Sequence, residues 1–166
     1  MFSGELSKIL TADRKVKVQF GGVYPIDKLP TNDRSRRPVF YVVNTDEHRG
    51  PGKHWVVLYL PRRGPPEFFD SLAGDPSAYH RRFGRILRPT FLKTVRRFQR
   101  LDTRSCGLFC IYFAFHRCRG WKFADILKLF CPVNLDFNER LVLSYFDEIP
   151  KSYRRTFGKR YIYSRI

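Results

Sequence analysis

Four side chains in this 166-residue sequence have the types and spacing to carry out acyl transfer. Cys106 stands directly before Gly107 in QRLDTRSCGLFC, where an apolar stretch begins that predicts a buried helix. With Ser105 as N-cap, the thiol falls in the first turn. There the unpaired amide groups and the helix dipole pull its pKa below the free value of about 8.5. A thiolate at that place is a nucleophile. A neutral thiol there is a small packed hydrophobe, the ordinary state of a free cysteine. Gly107 removes a side chain where a substrate backbone would approach.

A nucleophilic cysteine needs an imidazole, and four histidines are available. His48 lies in a Gly-rich turn, His80 in a basic segment and His116 near the end of the apolar helix. His54 opens the run HWVVLYL, so a rigid strand could aim it from the end of a sheet. The turn PRRGPP would fold EFFD back beside HWVV and bring Asp70 towards His54. Glu67, three residues earlier, falls on the opposite face by period-2 alternation, so Asp70 is the carboxylate able to hold the imidazole in one tautomer. Gln99, seven residues before Cys106, could donate its amide to a tetrahedral oxyanion beside the Cys106 backbone N–H. One such donor is worth ~10²–10³ in rate.

The elements that must position these groups follow from the hydrophobic pattern. Leu6, Ile9 and Leu10 mark an opening helix capped by Ser3. KVKVQF (15–20) alternates as a half-buried strand does, and VYPIDKLPTNDRSRRP (23–38) reads as a Pro-interrupted loop. PVFYVVNT (38–45), HWVVLYL (54–60) and EFFDSL (67–72) are strands. Residues 79–88 predict a basic amphipathic helix, and VRRFQRL (95–101) a last strand. Residues 105–118 form the core helix, and 123–130 and 138–146 two further amphipathic helices. The expectation is a single α+β domain over 1–166, with a sheet of about five strands flanked by helices.

Composition bounds the rest. Aromatic residues make up 16% of the chain, enough bulk for a folded core. The longest apolar run, at 106–115, is too short to span a bilayer, and MFSGELSKIL lacks the form of a secretory signal, so a soluble protein in a reducing compartment is expected. The four cysteines lie in the C-terminal half with no disulfide framework. Their Cys-x3-Cys-x7-Cys-x12-Cys spacing matches no usual zinc site, so no metal is expected. The net charge is +17. It is concentrated in residues 81–104, with nine basic residues and one acid, and in a basic tail, 151–166, with six and none. Arg81, Arg82, Arg85, Arg88, Lys93, Arg96, Arg97 and Arg100, with Lys151, Arg154, Arg155, Lys159 and Arg160, are candidate DNA contacts. Binding through phosphates would be sequence-independent and strongly salt-dependent.

The ordered set His54-Trp55, Phe69-Asp70, Gln99 and Cys106-Gly107-Leu108-Phe109-Cys110 resembles the adenovirus endoprotease family, the adenains. These belong with the SUMO-specific proteases in a papain-like clan of permuted order. The segments VVNTDEHRGPGKHW, QFGGVYPIDKLP and NERLVLSYFDEI extend the likeness over most of the chain, least at 72–95 and after 150. The resemblance implies a papain-like-clan fold with the nucleophile at the N-terminus of a central helix. In it Cys106 is the nucleophile, His54 the general base and then acid, and Asp70 the orienter. Gln99 and the Cys106 amide form the oxyanion hole, while Trp55 and Gly107 line the substrate groove. The implied activity is peptide hydrolysis through a thioester, with no cofactor needed for the chemistry. Substrates would be virion precursor proteins cut at Gly-containing sites, by a monomer in the host nucleus and the virion, stimulated by DNA. Two departures stand out. Adenains carry Glu where this chain has Asp70, in an Asp-Ser context like that of the SUMO-protease branch. The stretch RPTFLKTVRRF also lacks the cysteine that would bind a disulfide-linked peptide activator, which leaves a non-covalent viral peptide.

Two other classes of function fit parts of the sequence. A protease that removes ubiquitin-like modifiers would share the active-site plan. A nucleic-acid packaging protein would account for the charge, but not for the co-placement of His54, Asp70, Gln99 and Cys106.

Overall fold

The apolar runs at 38–45 and 54–60 have no polar face, which requires strands covered on both sides. The computed structural model describes residues 1–30, 37–87 and 89–148, and in it these runs are central strands of a five-stranded sheet. Strands β1 (Phe20–Pro25), β2 (Val39–Asn44), β3 (Trp55–Leu60), β4 (Glu67–Phe69) and β5 (Leu92–Lys93) lie in sequence order across it. The outer pairs β1/β2 and β4/β5 are parallel, and the inner pairs β2/β3 and β3/β4 antiparallel.

Seven helices among the described residues flank the sheet: α1 (Ser3–Ala12), α2 (Arg14–Gln19), α3 (Pro76–Tyr79), α4 (Arg81–Ile86), α5 (Cys106–Cys118), α6 (Phe123–Leu127) and α7 (Leu135–Glu148). Alternation along β2 and β3 divides the core into two layers. Phe40, Val42, Val57 and Tyr59 face a layer built on α1, α5, α6 and α7, in which Phe69 stacks on Phe113 at 4.4 Å between ring centroids. Tyr41, Val43, Val56 and Leu58 face the opposite layer, which holds Phe83 of α4 and Leu87. Helix α5 is therefore apolar nearly all round, because it is the central helix of the larger layer.

Four local expectations are corrected. Ser3 is already helical, and α1 is instead capped by Glu5, whose carboxylate accepts the Phe2 N–H at 2.7 Å. KVKVQF is not a strand: Asp13 caps helix α2 by accepting from Val16 N–H, with Val16 buried and Val18 80% exposed. The first strand begins only at Phe20, the last residue of that segment, and runs on to Pro25, into the segment expected to be a loop. The basic helix at 79–88 is broken at His80, which ends α3 in an extended conformation and caps α4 through its ring. VRRFQRL is also not a strand. Its neighbouring Phe98 and Gln99 are both buried while Val95, Arg96 and Arg97 are all exposed, a pattern no period-2 element allows. The shorter β5, upstream, fills that edge of the sheet.

Candidate active site

His54 sits one residue before β3, and its carbonyl accepts the Thr45 N–H at 2.9 Å, which continues the β2/β3 ladder and fixes the backbone beneath the ring. The register Val57↔Phe69 carries Asp70 past the end of β4 towards that ring. His54 Nε2 lies 2.6 Å from Asp70 Oδ1, so the expected pair forms. Glu67 is removed from it, as alternation requires, and grips Arg117 of α5 in a bidentate pair at 2.7 and 2.8 Å.

Asp70 is fully buried, and its carboxylate is saturated. Oδ1 accepts from His54 and from the Leu72 N–H at 2.8 Å; Oδ2 accepts from the Gly74 N–H and the Tyr79 hydroxyl, each at 2.8 Å. Four donors match the four acceptor sites of a carboxylate. The backbone 70–74 curls around the group, with Ala73 at φ 57°, while the Thr94 hydroxyl accepts the Asp70 N–H at 3.1 Å. Burial alone would raise the Asp70 pKa, but the bond and charge of His54 and the other donors hold it below the ordinary carboxylate value.

Cys106 opens α5 and is almost buried. Ser105 occupies the N-cap position but does not cap with its side chain; its hydroxyl lies 3.1 Å from that of Thr103. The Leu108 N–H is taken by the Ser105 carbonyl at 2.7 Å. The Gly107 N–H and, from β3, the Trp55 N–H favour the charged form of the Cys106 sulfur. The His54 ring favours the thiolate in the same way, and since Nε2 is engaged by Asp70, Nδ1 is the nitrogen left for Cys106. Burial pushes the Cys106 pKa up, yet the imidazolium and the two amides outweigh it and bring it below the ordinary thiol value. Burial likewise disfavours the His54 cation, but Asp70 and the Cys106 sulfur raise His54 from 6.5 to about 9. Both shifts favour a thiolate–imidazolium pair near neutral pH. Such a pair holds a charged nucleophile and a proton donor side by side.

Gln99 is 2% exposed and clamped. The Ser71 carbonyl accepts the Phe98 and Gln99 N–H groups, and the Ser71 hydroxyl donates to Gln99 Oε1 at 2.7 Å. Gln99 Nε2 donates to the Thr103 carbonyl at 3.2 Å, an acceptor that fixes which end of the amide is nitrogen. Trp55 and Gly107 both meet the first residue of the chain: Trp55 Nε1 donates to the Met1 carbonyl at 3.1 Å, and the Met1 side chain lies over Gly107.

The remaining histidines and cysteines keep ordinary roles. His48 pairs with Asp27, His80 faces Glu47, and His116 Nδ1 contacts the Tyr112 carbonyl. Cys110 and Cys118 are buried, with pKa values pushed up by burial, Cys118 to about 12.

The candidate DNA contacts divide. Arg81, Arg85, Arg96 and Arg97 are exposed and carry no ion pair among the described residues. Arg100 is paired with Asp102 and Asp136, Lys93 with Asp75, and Arg82 donates to the Leu29 carbonyl at 2.6 Å. Arg88, Lys151, Arg154, Arg155, Lys159 and Arg160 lie outside the described residues.

Three participants carry no mark in the sequence. Tyr79 and Thr94 come from segments whose helix and edge strand are too short to show periodicity, and Ser71 reads as an ordinary turn residue. The Asp75-Pro76 pair, an N-cap followed by proline at N1, was the available sign of the helix that presents Tyr79.

A five-stranded mixed sheet with helices on its two faces and Cys106 at the head of the central one is the papain-like protease fold. Among solved structures the chain is similar to a crystal structure of ASFV pS273R protease, with a TM-score of 0.56 and 16% identity over 85% of this chain. It spans 65% of the length of that protease. A Se-Met structure of the same protease aligns over 63% of this chain and 44% of its own, with 23% identity and a TM-score of 0.39. No protein-family model matches the chain, and no curated protein does. No helix among the described residues is long and apolar enough to cross a membrane.

Proposed function

We propose that this chain is a cysteine endopeptidase with a Cys106–His54–Asp70 triad. The observation that carries the proposal is His54 held between a saturated, buried Asp70 and a thiol of lowered pKa at a helix start. The fold shared with a viral protease supports the same reaction class.

In this mechanism the Cys106 thiolate attacks the scissile carbonyl carbon, and the carbonyl π electrons move to oxygen. The Cys106 N–H and the Gln99 amide, turning one hydrogen away from the Thr103 hydroxyl 3.4 Å off, receive that oxyanion. His54 delivers its Nδ1 proton to the leaving amine, the C–N bond breaks and a thioester remains. Water then gives a proton to Nδ1 as it attacks the thioester, and collapse of the second tetrahedral species releases the acid and restores the thiolate. Asp70 keeps the Nε2 proton throughout, so Nδ1 is always the exchanging nitrogen.

The finer reading is a viral-type enzyme. It acts on virion precursor proteins at Gly-containing sites, in the host nucleus and the virion, as a monomeric 1–166 domain. DNA binds as a polyanionic activator along Arg81, Arg85, Arg96 and Arg97, and a peptide activator binds without a disulfide. Cleavage of a Gly-containing peptide library, with and without DNA, tests this. Cys106→Ala abolishes turnover and preserves the fold, so activity retained by that variant defeats the proposal. A ubiquitin-like probe with a C-terminal electrophile that captured Cys106 more efficiently than the peptides would instead favour a modifier protease.

A further inference from the structure

A substrate carbonyl must come within ~3–3.5 Å of the Cys106 sulfur in order to react. In the endopeptidase reading the residues beside the scissile bond lie against the neighbours of His54 and Cys106, which are Trp55 and Gly107. That space is not bounded by these two alone. The Met1 carbonyl accepts from the Trp55 indole at 3.1 Å. A Cβ placed on Gly107 would lie 2.7 Å from the Met1 sulfur, 3.2 Å from its Cβ and 3.4 Å from its Cγ. The methionine side chain therefore fills the room that the glycine leaves open at the head of α5. Nor is Met1 a loose end. The next residue begins the Glu5-capped turn of α1, and α1 is pinned in the core by Leu6, Ile9 and Leu10, each fully buried.

We propose that Met1 is a specificity-determining wall of the substrate groove. By its contacts with Trp55 and Gly107 it limits the residue N-terminal to the scissile bond to one with little or no side chain. The proposal rests on the endopeptidase reading above and assigns part of its selectivity to a residue outside the triad. A thioether suits such a wall, because it is unbranched and follows an irregular surface without a fixed shape.

The test uses chains released from an N-terminal fusion, with residue 1 as Met, as Leu (M1L) or as Ala (M1A). Each is assayed on peptides that differ only in carrying Gly, Ala, Val or Leu before the scissile bond. Selectivity in an apolar pocket changes by about tenfold or more per methylene-sized difference. M1A should therefore cut the Gly-over-Val ratio of kcat/KM by at least about tenfold, and M1L should restore it. An unchanged ratio in M1A overturns the proposal. So does an equal rise for all four peptides, which would make Met1 a displaceable strap rather than a wall. Failure of the enzyme reading looks different, since the Met1 form would then cleave no peptide. Placement is checked independently, because the chain contains a single methionine and [methyl-13C]Met labelling yields one signal. Iodoacetamide capping of Cys106 should shift that signal, and a signal that stays in place refutes the placement whatever the peptidase result.

Discussion

Asp70→Asn removes one charge from the centre of the site and keeps its shape. Raising His54 from 6.5 to about 9 amounts to ~3 kcal/mol in favour of the imidazolium. Asp70 and the Cys106 sulfur share that effect against burial, which acts in the opposite sense. An asparagine can keep Oδ1 on His54 Nε2 and the Leu72 N–H, and turn Nδ2 to the Tyr79 hydroxyl, which can rotate to accept. The Gly74 N–H alone loses its acceptor, at ~1–3 kcal/mol, so the fold should survive. If the Asp70 charge supplies half of the His54 shift, its loss is ~1.5 kcal/mol, or about tenfold in the thiolate population. The assay is iodoacetamide alkylation as a function of pH, resolved by peptide mass spectrometry so that Cys106 is read apart from Cys110, Cys118 and Cys131. Wild-type Cys106 should alkylate with a midpoint below that of a free thiol, about 8.5, because its pKa is lowered. In Asp70→Asn the rate at pH 6–7 should fall at least about tenfold, with the midpoint moving towards about 8.5. Above pH 9 the variant should equal or exceed the wild type, because a more basic thiolate is the better nucleophile. Superimposable profiles would refute the argument that Asp70 sustains the ion pair. Fast labelling of Cys110 and Cys118 would instead reveal unfolding.

Three further outcomes follow from other contacts. Tyr79→Phe strips a charge-assisted donor from Asp70 and should cost ~1.5–3 kcal/mol, a Tm lower by ~3–12 °C in a chain of this size; an unchanged Tm would show that the bond contributes nothing. Glu67→Ala leaves the half-buried Arg117 without its partner and should cost ~1.5–3 kcal/mol in denaturant unfolding, while the pH profile of Cys106 alkylation stays in place; a displaced profile would contradict the separation of the two carboxylates. For DNA, replacing Arg96 and Arg97 by Ala should flatten the log K against log salt slope by about 0.9 per contact, whereas Arg100→Ala should leave it unchanged because Asp102 and Asp136 already neutralise that guanidinium; equal effects would refute the division.

What the sequence revealed, and what it hid, follows from how far each signal reaches along the chain. β2 and β3 were legible because strands covered on both faces must be continuously apolar. α5 was legible because a central helix must be apolar nearly all round. The His54–Asp70 contact was legible because one short turn sets the β3/β4 register. The edges of the sheet were not. KVKVQF alternates perfectly, but an Asp13 cap two residues ahead of it decides for helix. VRRFQRL fails because Phe98 and Gln99 turn inward together to reach the Ser71 carbonyl and the core, a tertiary demand that no local pattern carries. The supports of the site share this character: Tyr79, Ser71, Thr94 and Met1 act through contacts 9, 28, 24 and 54 residues away along the chain.

The shortness of β4 has a physical consequence for the site. Its three residues place Glu67 at one end and Asp70 just beyond the other, on opposite faces of the sheet. Glu67 holds Arg117 near the C-terminal end of α5, whose guanidinium also lies 4.2 Å from the Tyr59 ring centroid. Asp70 holds His54, which meets Cys106 at the N-terminal end of the same helix. One strand thus grips α5 at both ends, and Phe69 between the two carboxylates stacks on Phe113 in its middle. A one-residue slip of β4 against β3 would turn Glu67 away from the helix and carry Asp70 away from His54 together. The ion pair far from the thiol is therefore a register lock for the near one, and the buried stack between them makes the two ends succeed or fail as a unit.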